Sequence, residues 1–169
     1  DIDVTSPTGI VITGMDHNIS SAASTAFTVD IYITPGTYVG AQTNSALWRL
    51  VSSGAGIAAG SNIPTSTNLA KPIFLRPGRY GMMVYYTGAG MSYTNGNGTA
   101  VPGSGTNQTF GNGDLTLLLG ESRTSLWGTG VNAPRIWNGA IYYDKAGFGD
   151  LAGYTFFNAG CAGSTGMSN

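Results

Sequence analysis

The side chains that could perform acid–base or nucleophilic chemistry are few and scattered. The chain has one histidine, His17, which directly follows an aspartate, and one glutamate, Glu121. An aspartate next to a histidine in sequence does not by itself form a catalytic dyad. Glycoside hydrolysis needs two carboxylates flanking one bond, and no spacing singles out a pair among Asp114, Asp144 and Asp150. We therefore expect that this protein is not an enzyme.

One short motif has the chemistry of a hard-cation site. Asn112-Gly113-Asp114 precedes a predicted strand, and Asn95 and Asn97 lie nearby in sequence. Calcium takes carboxylate, amide and backbone carbonyl oxygens. We predict a calcium site at Asn112 and Asp114; the alternative is that Asp114 caps a turn by accepting backbone hydrogen bonds. No other cofactor is expected.

Aromatic and amide side chains supply material for sugar recognition. Protein sites for sugars combine an aromatic surface with polar groups at its edge. The candidate glycan contacts are Trp127, Tyr93, Asn95 and Asn97. Three Asn-x-Ser/Thr sequons mark candidate glycosylation sites at Asn18, Asn97 and Asn107, although a chain this rich in Asn and Thr contains such triplets by chance.

The composition is unusual in its lack of charge. Only 9% of the residues are Asp, Glu, Lys or Arg, against about 25% in an ordinary soluble domain. Glycine accounts for 27 of the 169 residues, and the hydrophobic fraction is still 41%. A net charge of −1 gives no reason to expect nucleic-acid binding, and no apolar run approaches the ~20 residues of a membrane span. A neutral surface of this kind favours close contact with other copies or with sugars.

Alternation typical of strands runs through the chain, whereas helical periodicity is nearly absent. Residues 27–34 alternate apolar and polar side chains and end at the turn pair Pro35-Gly36. Further strands are predicted around residues 80–86, 115–119 and 141–143, and more weakly at 9–13, 47–52, 69–75 and 154–158. Pro72 inside one of these predicts an edge strand or a bulge. The pattern predicts a single all-β domain over residues 1–169, an antiparallel β-sandwich that is jelly-roll-like.

Three Gly-rich or Asn-rich stretches are predicted as long loops: residues 41–46, 54–67 and 88–113. The last is too long for a hairpin turn and is a candidate interaction surface. A Gly/Ser-rich tail follows at residues 159–169 and contains the single cysteine, Cys161, which excludes an internal disulfide.

A series of short motifs runs through the middle of the chain: Thr34-Pro35-Gly36-Thr37-Tyr38, Pro77-Gly78-Arg79-Tyr80-Gly81, Tyr93-Thr94-Asn95-Gly96, Asn112-Gly113-Asp114-Leu115-Thr116-Leu117 and Pro134-Arg135-Ile136-Trp137-Asn138-Gly139-Ala140-Ile141-Tyr142-Tyr143. As a set, these motifs resemble a β-rich module found in secreted, often surface-anchored bacterial proteins. The resemblance covers roughly residues 26–143 and implies a secreted β-rich module with no assigned reaction.

The N-terminal region has the pattern of a strand that could be exchanged between subunits. Residues 1–5 alternate, Pro7 interrupts, and an apolar run follows; a short strand of this kind can complete a neighbour's sheet. The alternative is an ordinary first strand of the same domain. Within residues 1–13 the expected subunit contacts are Ile2, Val4, Ile10, Val11 and Ile12.

These patterns together predict a structural subunit of an extracellular or cell-surface bacterial filament. Copies of the chain would join head to tail through an exchanged strand, because a contact that does not close on itself produces a fibre. The alternative is a monomeric carbohydrate-binding or adhesion module that recognises polysaccharide. Neither interpretation involves nucleic acid or a membrane span.

Overall fold

A computed structural model describes residues 1–147 of the chain. Within these residues a 3₁₀ turn, Ser45–Leu47, is the only helical element. The strands are β1 Ile2–Val4, β2 Ile10–Asn18, β3 Ala26–Pro35, β4 Arg49–Ile57, β5 Pro64–Leu75, β6 Gly78–Thr87, β7 Tyr93–Asn95, β8 Thr109–Gly111, β9 Leu115–Leu118, β10 Ser122–Arg123, β11 Val131–Asn132, β12 Arg135–Trp137 and β13 Gly139–Lys145.

Nine strands form one antiparallel sheet in the order β13-β2-β5-β4-β3-β6-β1-β9-β8, and β10-β11 and β12-β7 form two short additional ladders. The all-β antiparallel prediction is therefore confirmed. No helix among residues 1–147 has the length and apolarity needed to span a bilayer.

The strands form where the sequence alternates. β3 buries Phe27, Val29, Ile31 and Ile33 on one face, while Thr28 and its alternate neighbours point away from the core. β6 continues the same inner face with Tyr80, which is fully buried, and then with Met82, Val84 and Tyr86. The inner residues of each strand thus meet those of its neighbour in register.

The sheet curls so that its two ends face each other across one core. Leu115 and Leu117 near one end belong to the same apolar cluster as Ile141 and Tyr143 of β13 at the other end. The ends also meet directly, because the Lys145 ammonium lies 2.9 Å from Asp114 Oδ1 and the Tyr143 hydroxyl donates to Asp114 Oδ2 at 3.2 Å. The curled sheet therefore has the two facing layers of a sandwich.

Two predictions about β5 have different outcomes. Pro72 lies where the β2–β5 register shifts, between the pairs Ile12↔Ile73 and Gly14↔Asn68, so the predicted bulge is confirmed. The predicted loop at residues 54–67 is too long: β4 extends to Ile57 and β5 begins at Pro64, so the loop covers only residues 58–63. Its glycines are there for packing: a Cβ on Gly56 would lie 2.6 Å from Phe27 Cζ.

The N-terminal segment is part of the chain's own sheet. β1 lies between β6 and β9, and Ile2 and Val4 are buried in the core. β2, which carries Ile10 to Ile12, lies between β13 and β5. In this arrangement a neighbour's N-terminal strand would have to displace β1. The predicted strand at 154–158, the tail at 159–169 and Cys161 lie outside the described residues.

Candidate functional site

The candidate site lies where the sheet lacks a strand. β1 pairs with β6 only from Gly78 to Tyr80 and with β9 only from Leu115 to Leu117. β6 continues to Thr87 and remains paired to β3 on its other side. Past Tyr80, β6 therefore has no neighbour on the β1 side among the strands of residues 1–147.

A cleft of about 440 Å³ occupies this position, and we call it the β6 cleft. Its walls include residues 82–86 of β6 on one side and residues 117–119 on the other. Consecutive residues of a strand point to opposite faces of a sheet. A space that touches five consecutive residues of β6 therefore runs along the strand's edge and opens to both faces.

The backbone of β6 offers hydrogen bonds to this cleft. Along an antiparallel strand, N–H and C=O groups point alternately to the two neighbours. Arg79 O accepts from Gly36 N on the β3 side, and the β3–β6 register is unbroken from there to Thr87. The alternation therefore directs the N–H and C=O groups of Met82, Val84 and Tyr86 into the β6 cleft. These groups would pair with an added strand.

The walls of the β6 cleft are mainly apolar, and their charged groups are held by neighbours. Arg123 and Glu121 form an ion pair at 2.9 Å with side chains only 15% and 10% exposed, and Arg123 Nη1 donates to Gly128 O. The Arg135 guanidinium lies 4.6 Å above the Tyr93 ring. Its Nε is buried without an acceptor among the described residues, and such a donor is one that a bound ligand could satisfy.

Tyr86, on the inner wall, joins a buried polar network around His17. Trp137 Nε1 donates to the Tyr86 hydroxyl at 2.8 Å, and His17 Nδ1 lies 2.8 Å from the same hydroxyl. Because an indole only donates, Tyr86 keeps its proton for His17 Nδ1, and Nε2–H then donates to Thr67 Oγ1 at 2.8 Å. Burial lowers the pKa of His17 to about 4, although Asp16 opposes this shift, and burial raises that of Tyr86. The only histidine therefore has a structural role here.

The lower end of the β6 cleft is formed by Asp1. Its buried carboxylate accepts hydrogen bonds from Tyr38 N at 2.9 Å, Thr37 Oγ1 at 2.7 Å and Arg79 Nη2 at 2.7 Å. The Asp1 backbone carbonyl accepts from Leu118 N. These bonds hold the residue that precedes β1 in place between its neighbours.

The predicted calcium residues lie together at the seam between the two ends of the sheet. Asn112 Oδ1 accepts from the backbone N–H of Asp114 at 2.9 Å and of Leu115 at 3.1 Å. The Asp114 carboxylate contacts Lys145 and Tyr143, and its backbone carbonyl accepts from Thr5 N. No group of three His, Cys, Asp or Glu side chains with metal-binding geometry occurs in residues 1–147. Calcium binding stays a prediction, and the ion would have to displace the Lys145 ammonium.

The predicted glycan contacts fall in two places. Tyr93 and Asn95 lie on β7, opposite Trp137 and Arg135, and Tyr93 lines the β6 cleft. Trp127 lies elsewhere, with its ring centroid 5.3 Å from Tyr32 and 5.8 Å from Trp48. Its φ of +59° is uncommon for a bulky residue.

The three sequon asparagines use their amides within the fold. Asn97 Nδ2 donates to Thr106 Oγ1 at 2.7 Å, and Asn107 Oδ1 accepts from Asn97 N at 2.9 Å. Asn18 Oδ1 accepts from Asn62 N at 2.9 Å. Glycosylation at these positions stays a prediction, and a glycan on Asn97 would have to coexist with the bond to Thr106.

Sequence reasoning did not identify the β6 cleft, although β6 carries a signal for it. Met83 and Tyr85 are apolar residues on the face opposite to Met82 and Val84. Both faces of the strand are therefore expected to pack against other residues. The missing partner cannot be read from sequence, because it depends on β1 pairing only with Gly78 to Tyr80 while β6 continues to Thr87.

Comparison of the chain with known proteins gives no match. No protein-family model matches the chain, and neither the curated proteins nor the solved structures give a match.

Proposed function

We propose that this protein is the structural subunit of an extracellular bacterial filament, assembled from copies of the chain joined head to tail by strand addition. The observation that carries the proposal is the β6 cleft, a strand position beside β6 that no strand of residues 1–147 occupies. An open sheet edge with a matching side-chain groove is the geometry by which extended segments add to a sheet.

The surface composition supports the same function. The chain has only seven basic and eight acidic residues. Large apolar side chains are nevertheless exposed, among them Val101 at 60%, Phe110 at 47% and Tyr142 at 50%. Phe110 and Tyr142 lie on β8 and β13, the two terminal strands of the sheet. Exposed apolar groups with few charges favour association between copies over dispersal in water.

The test is to purify the full-length chain and examine it by negative-stain electron microscopy and sedimentation velocity across a concentration series. Filaments of uniform width above a critical concentration are expected. Particles of a single chain's mass at every concentration would count against the proposal.

A carbohydrate-binding or adhesion role is the second candidate, and the aromatic group formed by Tyr32, Trp48 and Trp127 favours it. All three rings are partly exposed on the outer face of the sheet, and aromatic surfaces of this kind stack on sugars. Binding to a polysaccharide on a glycan array that is lost in Trp127→Ala but kept in Tyr142→Ala would support it.

A further inference from the structure

We propose that the β6 cleft is filled by residues 151–158 of a second copy of this chain. This inference rests on the proposed filament function and specifies its joint. The incoming segment would run antiparallel to β6, in line with β1, and would end beside Asp1.

The positions of the cleft and of the chain's exit fit a joint between copies. The last described residues leave β13 beside Gly9, where Ala146 N donates to Gly9 O, and Lys145 contacts Asp114. That is the Val4 end of β1, whereas the β6 cleft lies beyond Asp1 at the opposite end. In a copy stacked on the Val4 end, the β6 cleft would therefore face the last described residues of the first copy. Such a contact repeats without closing.

The composition of the segment suits an apolar cleft. Residues 151–169 contain no Asp, Glu, Lys or Arg, so burying part of them takes no charged side chain out of water. Within residues 151–158, Ala152, Tyr154 and Phe156 alternate with Gly153, Thr155 and Phe157. In an added strand the first set would face the interior beside Trp137 and Ile141. Phe157 would then lie on the outer side.

The polar groups of the cleft match a strand as well. An antiparallel partner would supply acceptors and donors for the backbone of Met82, Val84 and Tyr86. A backbone carbonyl on the inner side would also give the buried Arg135 Nε the acceptor that it lacks among the described residues. A small apolar ligand would leave the row of β6 backbone groups without partners.

The experiment uses disulfide trapping between full-length chains that carry Cys161→Ser. One preparation also carries Tyr85→Cys, which lines the cleft and would lie opposite residue 155 of the added strand, and the other carries Thr155→Cys; the two are mixed and oxidised. A disulfide forms only when the two Cα atoms approach to roughly 4.4–6.8 Å. We expect a covalent dimer from this mixture. The matched control replaces Tyr85→Cys by Ala70→Cys, an exposed residue of β5 away from the cleft, and should give none.

A second pair of variants tests the segment without altering the folded body. Phe156→Asp should raise the critical concentration for filament formation by at least about tenfold, since a carboxylate would enter an apolar cleft. Ser164→Asp adds the same charge outside the segment and should leave that concentration unchanged.

Each outcome bears on one of the two proposals. Filaments without the covalent dimer, and with no effect of Phe156→Asp, would overturn this inference and leave the filament function standing. A disulfide formed only when both cysteines are in the same molecule would show that the chain fills its own cleft, which also overturns it. Absence of filaments and of the dimer at every concentration would reject both proposals.

Discussion

His17 shows how a potentially reactive side chain is given a structural role. Its two ring nitrogens are bonded to Tyr86 and Thr67, and its ring packs edge-on against Phe27, Tyr86 and Trp137. Desolvation at this site disfavours the imidazolium form. A proton added to Nδ1 would also face the hydroxyl proton of Tyr86. The network is therefore complete only while His17 is neutral.

His17 should make the fold sensitive to acid. Its pKa of about 4 in the folded chain lies below the ordinary value of 6.5, so below pH 6.5 the unfolded chain binds the proton more readily. Its stabilising contribution is full above pH 6.5 and falls as the pH drops toward 4, by about 2 kcal/mol between pH 7 and pH 4.5. Urea unfolding at the two pH values measures this fall. In His17→Gln, which cannot titrate, the fall should shrink by that amount, and an equal fall in both proteins would contradict the assignment.

Asp1 is the second residue whose substitution should measurably change the free energy of unfolding. Its side chain is fully buried and bonded to the Tyr38 backbone, Thr37 and Arg79. Asp1→Asn should lower the free energy of unfolding by about 1–2 kcal/mol, the smaller end being set by solvent screening around Arg79, which is 43% exposed. Asp144→Asn, an exposed residue with the same loss of charge, should stay within about 0.5 kcal/mol. Equal effects in both variants would show that the Asp1 contacts contribute nothing beyond their charge.

At the scale of elements, β1 decides whether the N-terminal strand belongs to its own subunit. Ile2 is fully buried between β6 and β9. Ile2→Ala should therefore cost about 2–4 kcal/mol of unfolding free energy, whereas Ile57→Ala, at a residue 61% exposed, should cost far less. Below the critical concentration for filament formation, where self-association adds no stability, urea unfolding should give the same midpoint at every protein concentration. A midpoint that rises with concentration would mean that β1 is supplied by a neighbouring copy.

The elements show how far the sequence predicts this fold. The alternation of β3 is strong enough to place it, because its apolar residues line one buried face, and β6 and β9 are marked by apolar residues at every second position. The sequence did not predict the parts of β4 and β5 at residues 54–57 and 64–67, because the residues there are small or polar. They form strands through close packing on Phe27, which is a tertiary contact that the local sequence does not show.

The packing inside the 88–113 loop could not be predicted from the sequence either. Gln108 is fully buried and bonds Gly98 N, Thr99 O and Leu119 O, which fixes the loop to the chain beyond β9. Nothing in the local pattern marks Gln108 as buried, because its partners are backbone groups distant in sequence. The candidate site could not be predicted for the same reason. It exists because β6 is longer than its neighbour β1, and only the register of the sheet shows that these two strands are neighbours.

At the scale of the whole molecule, residues 1–147 leave the edge of β6 open beyond β1, and the last described residues lie at the opposite end of β1. An isolated sheet edge is a liability in water, which proteins commonly protect with charged side chains. Along the cleft-lining part of β6, residues 82–86, there is no charged residue. An unprotected edge of this kind is suited to being covered by a partner. The low charge of the whole chain likewise favours contact between its surface and other copies.

The lack of charge leads to a prediction about assembly. Filaments held by apolar burial and backbone hydrogen bonds should respond little to ionic strength, because salt screens charges and this chain has only 15 of them among 169 residues, seven basic plus eight acidic. Raising NaCl from about 0.05 M to about 1 M should change the critical concentration less than about twofold, measured by pelleting. Ammonium sulfate, which strengthens apolar burial, should lower it, and urea should raise it. Filaments that dissolve in about 1 M NaCl would mean that ion pairs hold the joints.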